Sequence, residues 1–412
     1  MSSMSFTSRL RLLLILFITP ALFISCDTSS SNDDLPENDF LVSDNLKRTI
    51  TQQQLETFWF FAGVPEAEEF ITYDVDVHTV VYNTRDLDGN PIQASGAILV
   101  PQGIENPGLL SVQHATIFSN DEAPSVDIGI SVTARKAIFA SAGYITFLPD
   151  YLGYGVTEEL LHPYQVESSL AETSKDMILA GLEFIQNRNL TSTEQPVNLI
   201  GYSEGAYASL ALARLIEESA PVVDIGLLSM GAPIFDISAT MDDIIQNPEV
   251  TRECVPCYAY FLYTYHQLYD FSRPLSDYFQ SPYDQVIADG LFNGEQTSQE
   301  VSSSLPESVS DLFTAAFIQR YNDGEETELE QAVAENDLFY IPGARVLLVH
   351  GDSDTVAPLF NSSDFEQRAL DAGKTNYTFI VEEGANHTEG FIPWGFETLD
   401  ALGVRSSVLA NR

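Results

Sequence analysis

The chain has 412 residues, of which 18 are Lys or Arg and 60 are Asp or Glu, so its formal net charge is −42. A surface this acidic repels nucleic acids and anionic membranes, and we expect neither as a partner recognised through charge. Lysine occurs only at Lys47, Lys136, Lys175 and Lys374. Depleted lysine with abundant carboxylates fits a saline habitat or a general solubility role equally well, and composition alone identifies no substrate.

The N-terminal segment has the order of charged and apolar residues that is typical of an export signal. Arg9 and Arg11 precede the apolar run 12–18, and a second apolar stretch leads to Cys26. This order is that of a lipoprotein signal peptide, and the apolar run is too short to span a membrane. We therefore predict a signal peptide at 1–25, lipidation of Cys26, and export to the bacterial cell envelope with a lipid anchor. An ordinary cleaved signal with an incidental Cys26 is the alternative.

The segment after Cys26 and the two remaining cysteines are interpreted as parts of an exported protein. Residues 26–46 are predicted to be a flexible acidic tether, because 27–37 is polar, acidic and poor in apolar residues. Cys254 and Cys257 are an even pair in a C-x-x-C motif, as an oxidising compartment would favour. A local disulfide is favoured over a redox or zinc site, because no second ligand pair follows.

Apolar runs typical of strands alternate with helical stretches along most of the chain. Thr51 to Gln54 resembles a capping box before a short helix, and apolar helical patterns cover 170–185 and 206–216. This alternation predicts an α/β fold with a mostly parallel, eight-stranded sheet flanked by helices. The strand-like runs are 76–82, 92–100, 109–113, 144–148, 197–202, 225–230, 346–350 and 377–382.

The segment 201–205 (GYSEG) lies between one of these strands and the helical stretch that follows it. A strand, a sharp turn and a helix around G-x-S-x-G are typical of a nucleophile elbow, in which small residues on both sides of the serine permit the bend. Ser203 is therefore the candidate nucleophile. An ordinary strand-to-helix connection with glycines for backbone freedom is the alternative.

A serine nucleophile needs a base and an acid, and for an elbow of this kind they should follow in the order acid, then histidine. After Ser203 the strand-like run 346–350 leads to two candidate acids, Asp352 and Asp354. The run 377–382 leads to His387, which is the only histidine of the chain beyond that acid loop. Both partners follow strands, and the carboxyl ends of strands are where an open α/β sheet places its sites.

About a hundred residues separate the sixth and seventh of the predicted strands, which is too long for a simple connection. We predict a helical cap insertion at about 236–335, with helices near 312–321 and 327–334. The part from 258 to 283 is dense in aromatic residues, including Phe261 and Tyr263. These side chains form either an apolar wall for an acyl or aryl group or only the core of the cap itself.

Together these motifs resemble the α/β-hydrolase superfamily. The segment 350–358 (HGDSDTVAP) resembles its acid-bearing H-G-x-x-D-x-x-x-P loop, and 201–208 (GYSEGAYA) resembles the elbow of its secretory lipase branch. The resemblance covers roughly 77–405, and its ordered set of motifs is more specific than any single one. Further matches are 113–116 (QHAT), 149–155 (PDYLGYG) and 162–164 (HPY).

The resemblance implies a role for each of several residues. It selects Asp354 over Asp352 as the acid, and it implies hydrogen-bonding roles for His114 and His350. It places an oxyanion-hole amide in the loop after the third predicted strand, at Thr116, although this loop lacks the glycine that the family often has there. The other oxyanion donor, the amide of Glu204, follows from the elbow itself.

The implied protein is an α/β-hydrolase with a catalytic domain at 47–412 that contains the cap. We expect a serine esterase or lipase that acts on a small-molecule ester, most readily with a short or medium acyl chain, with no metal and no organic cofactor. A serine exopeptidase or oligopeptidase of the same fold is the alternative enzyme. A non-catalytic surface binding protein is the alternative from another class.

Overall fold

The computed structural model describes residues 40–219 and 222–404. The predicted signal peptide, the predicted lipidation site Cys26 and the larger part of the predicted tether lie outside these residues. None of the helices in the described part of the chain is both long and apolar enough to cross a membrane.

The described residues build one mixed sheet of nine strands in the order β1-β2-β3-β5-β4-β6-β7-β8-β9. The pairs from β1 to β5 across β2 and β3 are antiparallel, and all pairs from β5 to β9 are parallel. The strands are β1 Leu41–Ile50, β2 Val75–Arg85, β3 Pro91–Pro101, β4 Gly108–Gln113, β5 Tyr144–Pro149, β6 Val197–Tyr202, β7 Ile225–Gly231, β8 Arg345–Gly351 and β9 Tyr377–Glu382. Each of the eight predicted strands corresponds to one of β2 to β9.

Strand β1 differs from the prediction, which counted eight strands and assigned 26–46 to a tether. Nine of its ten side chains are exposed or partly exposed, so its sequence has no apolar face that would reveal a strand. Its backbone pairs with β2 along its length, and its start is held by Glu183, which accepts hydrogen bonds from the amides of Phe40 and Leu41 at 3.1 and 2.7 Å. Pairing at a sheet edge therefore orders this segment where side-chain burial does not.

Helices cover both faces of the sheet. Consecutive strand residues alternate between two separate apolar cores, so that Leu109 and Leu199 lie in one, and Leu110 and Ile200 in the other. The first core includes α3, α4 and the insertion, and the second includes α1, α2 and α14. The helices outside the insertion are α1 Gln52–Phe61, α2 Ile130–Ser141, α3 Glu167–Arg188, α4 Glu204–Glu218, α13 Phe360–Asp371 and α14 Phe391–Ala401. The predicted capping box of α1 is present, with Thr51 accepting from the Gln54 amide.

The insertion between β7 and β8 is helical, as predicted. Its aromatic part is centred on α6, whose buried side chains include Tyr258, Phe261 and Tyr265. These residues share one continuous apolar core with α3 and α4. Its helices are α5 Ile237–Gln246, α6 Val255–Leu268, α7 Leu275–Tyr278, α8 Tyr283–Ala288, α9 Ser298–Ser304, α10 Val309–Leu312, α11 Ala315–Asn322 and α12 Thr327–Ala334.

Candidate active site

Ser203 occupies the turn between β6 and α4. Its φ is 57° and its ψ is −122°, a conformation that a side chain disfavours. A Cβ on Gly201 would lie 2.0 Å from the Gly205 carbonyl oxygen, and one on Gly205 would lie 2.1 Å from that of Gln113. Only glycine fits both positions, and the tight bend they permit presents the serine hydroxyl at the carboxyl edge of the sheet.

The structure brings Ser203, His387 and Asp354 into one chain of hydrogen bonds. His387 Nε2 lies 3.0 Å from Ser203 Oγ, and His387 Nδ1 lies 2.6 Å from Asp354 Oδ2. Asp354 follows β8 and His387 follows β9, so the three residues come from the carboxyl ends of β6, β8 and β9.

Asp354 is held in an environment that favours its carboxylate form. Its Oδ1 accepts hydrogen bonds from the amides of Val356 and Ala357, both at 2.8 Å. Burial acts to raise the pKa of Asp354, but the hydrogen bonds and positive charge offered by His350 and His387 hold that pKa well below its usual value. The carboxylate can therefore orient His387 and stabilise its imidazolium.

The other candidate acid, Asp352, lies on the same loop but does not reach His387. Its Oδ1 accepts a hydrogen bond from the Gly384 amide at 2.7 Å, and its side chain is exposed. It therefore joins the loop after β8 to the loop after β9. His350 is buried and contacts Ser362 Oγ and the Ala357 carbonyl oxygen, both at 2.7 Å.

Two residues that the sequence reasoning did not identify hold the histidine loop. The His387 amide donates to Glu253 Oε2 at 2.9 Å, and Tyr202 Oη donates to the His387 carbonyl oxygen at 2.6 Å. Tyr202 stands beside Ser203 in the elbow and could have been considered on that ground. Glu253 has no signal in the sequence, because it reaches the site from the start of the insertion.

One candidate oxyanion donor follows Ser203 in the chain, and the other lies in the wall of a cavity that Ser203 also lines. Glu204 begins α4, where a backbone N–H has no partner within the helix. Thr116 lies in the loop after β4, lines the same cavity as Ser203, and has its Oγ1 2.9 Å from Tyr164 Oη. His114 contacts the Ala115 and Asp150 carbonyl oxygens, and burial lowers its pKa to about 3, so it is a neutral structural residue.

The Glu204 side chain points away from this chemistry. Its Oε1 lies 2.8 Å from His162 Nε2, while His162 Nδ1 lies 2.8 Å from the Leu152 carbonyl oxygen. Both ring nitrogens of His162 therefore face oxygen atoms. This buried pair anchors the first residue of α4 to the segment after β5.

Two cavities meet at Ser203. The larger, of about 490 Å³, is open and is lined by the 112–118 segment, α2 and the His387 loop. The smaller, of about 30 Å³, is mainly apolar. Its lining includes Ile234, Ile237, Met241, Ile244, Tyr258 and Phe261.

The aromatic residues of the insertion divide between the lining of the small cavity and the apolar core. Phe261 and Tyr258 line the small cavity. Tyr263 does not line it and packs against Phe292 with ring centroids 5.6 Å apart. Most of the other aromatic residues of the insertion lie in the apolar core that it shares with α3 and α4.

Cys254 and Cys257 form a disulfide with an S–S distance of 2.00 Å at the start of α6. Both sulfur-bearing residues line the larger cavity, and Cys257 lines the smaller one as well. The disulfide therefore stands where the insertion meets the candidate site.

Comparison with known proteins agrees with this architecture. Residues 123–249 match the model of the secretory lipase family. No curated protein sequence matches the chain. The match includes β5, α3, β6, the elbow and α4, so the part of the chain that carries Ser203 is the part that resembles secretory lipases.

Several solved structures are similar to the chain. A candidate hydrolase from Legionella pneumophila superposes with a TM-score of 0.79 at 22% identity, covering 89% of this chain and 98% of that one. The rice cell wall degrading esterase LipA from Xanthomonas oryzae gives 0.75 at 20% identity, with coverage of 91% and 97%. Candida antarctica lipase A gives 0.58 at 15% identity, with coverage of 84% and 77%.

The chain therefore has the α/β-hydrolase fold, and its predicted resemblance to the secretory lipase branch is confirmed. The family match and the fold agree with the predicted class of enzyme, a carboxylic ester hydrolase.

Proposed function

We propose that this protein is a serine hydrolase that cleaves carboxylic esters of small molecules through an acyl-enzyme. The observation that carries the proposal is the continuous chain of hydrogen bonds from Asp354 through His387 to Ser203. A serine hydroxyl is a weak nucleophile alone, and this arrangement supplies both a base and a group that orients the base.

In the first half of the reaction, Ser203 Oγ attacks the ester carbonyl while His387 Nε2 takes its proton. The imidazolium that forms is stabilised by Asp354, whose carboxylate already accepts the Nδ1 proton. The amides of Glu204 and Thr116 donate hydrogen bonds to the oxyanion of the tetrahedral intermediate. His387 then protonates the leaving alcohol, and the acyl group remains on Ser203.

In the second half, water replaces the alcohol. His387 takes a proton from the water as it attacks the acyl carbonyl, and it returns that proton to Ser203 Oγ when the carboxylic acid leaves. No step requires a metal or an organic cofactor, because the side chains and amides supply the nucleophile, the proton transfers and the charge stabilisation.

The two cavities suit the two parts of an ester. The small apolar cavity beside Phe261 accepts the acyl chain and, with a volume of about 30 Å³, limits it to a short one. The larger and more polar cavity accepts the alcohol. The substrate that fits best is a short-chain ester of a bulkier alcohol.

The protein is further proposed to act in the cell envelope, anchored by a lipid on Cys26. Three features support this: the order of residues 1–26, the disulfide between Cys254 and Cys257, and the resemblance to a secretory family. Its acidic surface would keep it from nucleic acid and from direct adsorption to anionic membranes.

The test of the activity is hydrolysis of chromogenic esters by the full chain and by Ser203→Ala. We expect the variant to remain folded and to lose at least about 10³-fold in kcat, with His387→Ala losing a similar amount and the double variant losing little more. Turnover by folded Ser203→Ala within tenfold of the wild type would remove Ser203 from its role. Faster cleavage of aminoacyl amides than of any ester would favour a peptidase, and no turnover of either would favour a binding protein.

A further inference from the structure

The cavity that the alcohol would occupy contains two adjacent cations. Arg135 and Lys136, both on α2, line it together with Ser203 and His387. The whole chain has only 18 Lys and Arg residues against 60 acidic ones, so neighbouring cations beside a serine nucleophile are unusual for its composition.

Neither cation is engaged by another of the described residues through a hydrogen bond or an ion pair. Lys136 is partly buried, and burial lowers its pKa to about 8, so its ammonium group remains mainly protonated at neutral pH. A partly buried ammonium group without a partner is costly, and a ligand that supplies an anion relieves that cost.

The carboxylates nearest to Lys136 are engaged elsewhere. Asp150 accepts hydrogen bonds from two serine hydroxyls, at 2.6 and 2.5 Å. Glu122 accepts from two backbone amides at 3.4 Å, and Asp127 accepts from a backbone amide at 2.9 Å. These three carboxylates act on Lys136 electrostatically, and none of them forms an ion pair with it.

Glu122 and Glu253 are the carboxylates that line the cavity among the described residues, and Glu253 is engaged as well. It accepts the hydrogen bond from the His387 amide. The α2 side of the cavity wall thus carries two cations with no ion-pair partner among the described residues.

We propose that Arg135 and Lys136 bind a carboxylate on the alcohol part of the substrate, so that the preferred ester is one of a hydroxy acid or of an acidic sugar. This inference rests on the proposed ester hydrolysis and adds the chemical class of the alcohol. The cations act on binding, while Ser203, His387 and Asp354 perform the bond cleavage.

The experiment compares two esters that differ in one charge, the butanoyl esters of para-hydroxybenzoate and of para-hydroxybenzamide. Lys136→Gln should lower kcat/KM for the carboxylate ester by roughly tenfold, mainly through KM, and for the amide ester by less than about twofold. Lys136→Arg, which keeps the cation, should retain most of the preference. Taking the ratio between variants cancels the different intrinsic reactivities of the two esters.

Lys47→Gln is the matched control, because Lys47 is an exposed lysine on β1 and does not line either cavity. It should leave both esters unchanged. Arg135→Gln is the second test should Lys136→Gln fail to fold, as judged by circular dichroism, and we expect it to lower the carboxylate preference as well.

The inference is overturned if the ratio of the two kcat/KM values stays within twofold of the wild type in both Lys136→Gln and Arg135→Gln. If the wild type hydrolyses the amide ester but its preference for the carboxylate ester does not depend on Arg135 or Lys136, the anion site is refuted and the proposed ester hydrolysis stands. A wild type that hydrolyses neither ester refutes the proposed function first and the anion site with it.

Discussion

Asp354 shows how single residues fix the chemistry of the site. Its Oδ1 accepts hydrogen bonds from two backbone amides, and its Oδ2 faces His387 Nδ1 at 2.6 Å and His350 Nε2 at 3.4 Å. An asparagine here would keep its oxygen toward the amides and turn its NH₂ group toward His387 Nδ1. That arrangement favours the tautomer of His387 that carries its proton on Nε2. Nε2 then cannot accept the proton of Ser203.

Asp354→Asn is therefore expected to lower kcat by roughly 10³–10⁴-fold. Asp352→Asn is the control, since an asparagine oxygen can still accept the hydrogen bond from Gly384, and it should change kcat by only a few-fold. Steady-state kinetics on one ester decides between them. If Asp352→Asn were the more damaging change, the assignment of the acid would be wrong.

The sequence identified the candidate catalytic residues that directly follow a strand-like run. Ser203, Asp354 and His387 each follow a strand-like run, and their order along the chain is characteristic. Glu253 and Lys136 could not be found in this way, because they reach the site from the insertion and from α2. Their closeness to Ser203 depends on how those elements pack.

The insertion between β7 and β8 lines the small cavity that is proposed to hold the acyl chain. Phe261 on α6 lines the small cavity, whereas Tyr263, two residues further along, faces Phe292. Since α6 is apolar on nearly every side, its sequence does not show which side faces Ser203.

Phe261→Ala should enlarge the small cavity and move the preferred acyl chain to a longer one. Each additional buried methylene contributes about 0.8 kcal/mol, so selectivity should rise about fourfold per methylene up to the new limit. The dependence of kcat/KM on acyl chain length, in a series of esters from acetate to octanoate, measures this selectivity. Tyr263→Ala is the matched control and should lower stability without moving the optimum. The same optimum in both variants and the wild type would exclude the small cavity as the acyl site.

Helix α3 carries a carboxylate at its contact with β2. Asp176 is buried, accepts a hydrogen bond from Thr84 Oγ1 at 2.8 Å and lies 3.3 Å from Lys175 Nζ. Burial raises the pKa of Asp176 to about 6, although Lys175 and Thr84 act against this rise. The folded state thus holds this proton more tightly than the unfolded chain, where an aspartate has a pKa of about 3.9.

The free energy of unfolding should therefore fall as pH rises from about 4 to about 6, by up to about 2–3 kcal/mol from this group. Asp176→Asn removes the titration and keeps an acceptor for Thr84, so it should raise the unfolding temperature at pH 7 and have little effect at pH 4. Glu172→Gln, which alters the more exposed partner of Lys175, is the control and should change little at either pH. An equal effect of Asp176→Asn at both pH values would contradict the raised pKa.

For the molecule as a whole, the net charge and the proposed lipid anchor bear on where it acts. The net charge of −42 opposes adsorption to anionic lipid, so attachment to a membrane should depend on the lipid proposed at Cys26. Cys26→Ser should move the protein from the membrane fraction to the soluble fraction or leave an unprocessed precursor. Ser25→Ala, a small residue for another beside the same cysteine, should leave fractionation unchanged. Detergent-dependent fractionation of Cys26→Ser would indicate a different anchor.

Features that depend on short-range sequence patterns could be predicted from the sequence alone. Strands β2 to β8 were evident because each buries apolar side chains, and β9 was evident from its apolar sequence, although its side chains are only partly buried. The elbow was evident because its bend admits only glycine around Ser203. Strand β1 was decided by the tertiary structure, since it has almost no buried side chain and is ordered by pairing with β2. The tertiary structure also decided which aromatic residues of the cap line the small cavity, and it placed Arg135 and Lys136 in the wall of the larger one. Their positions depend on contacts between distant segments, and no local pattern encodes which surfaces of packed elements will meet.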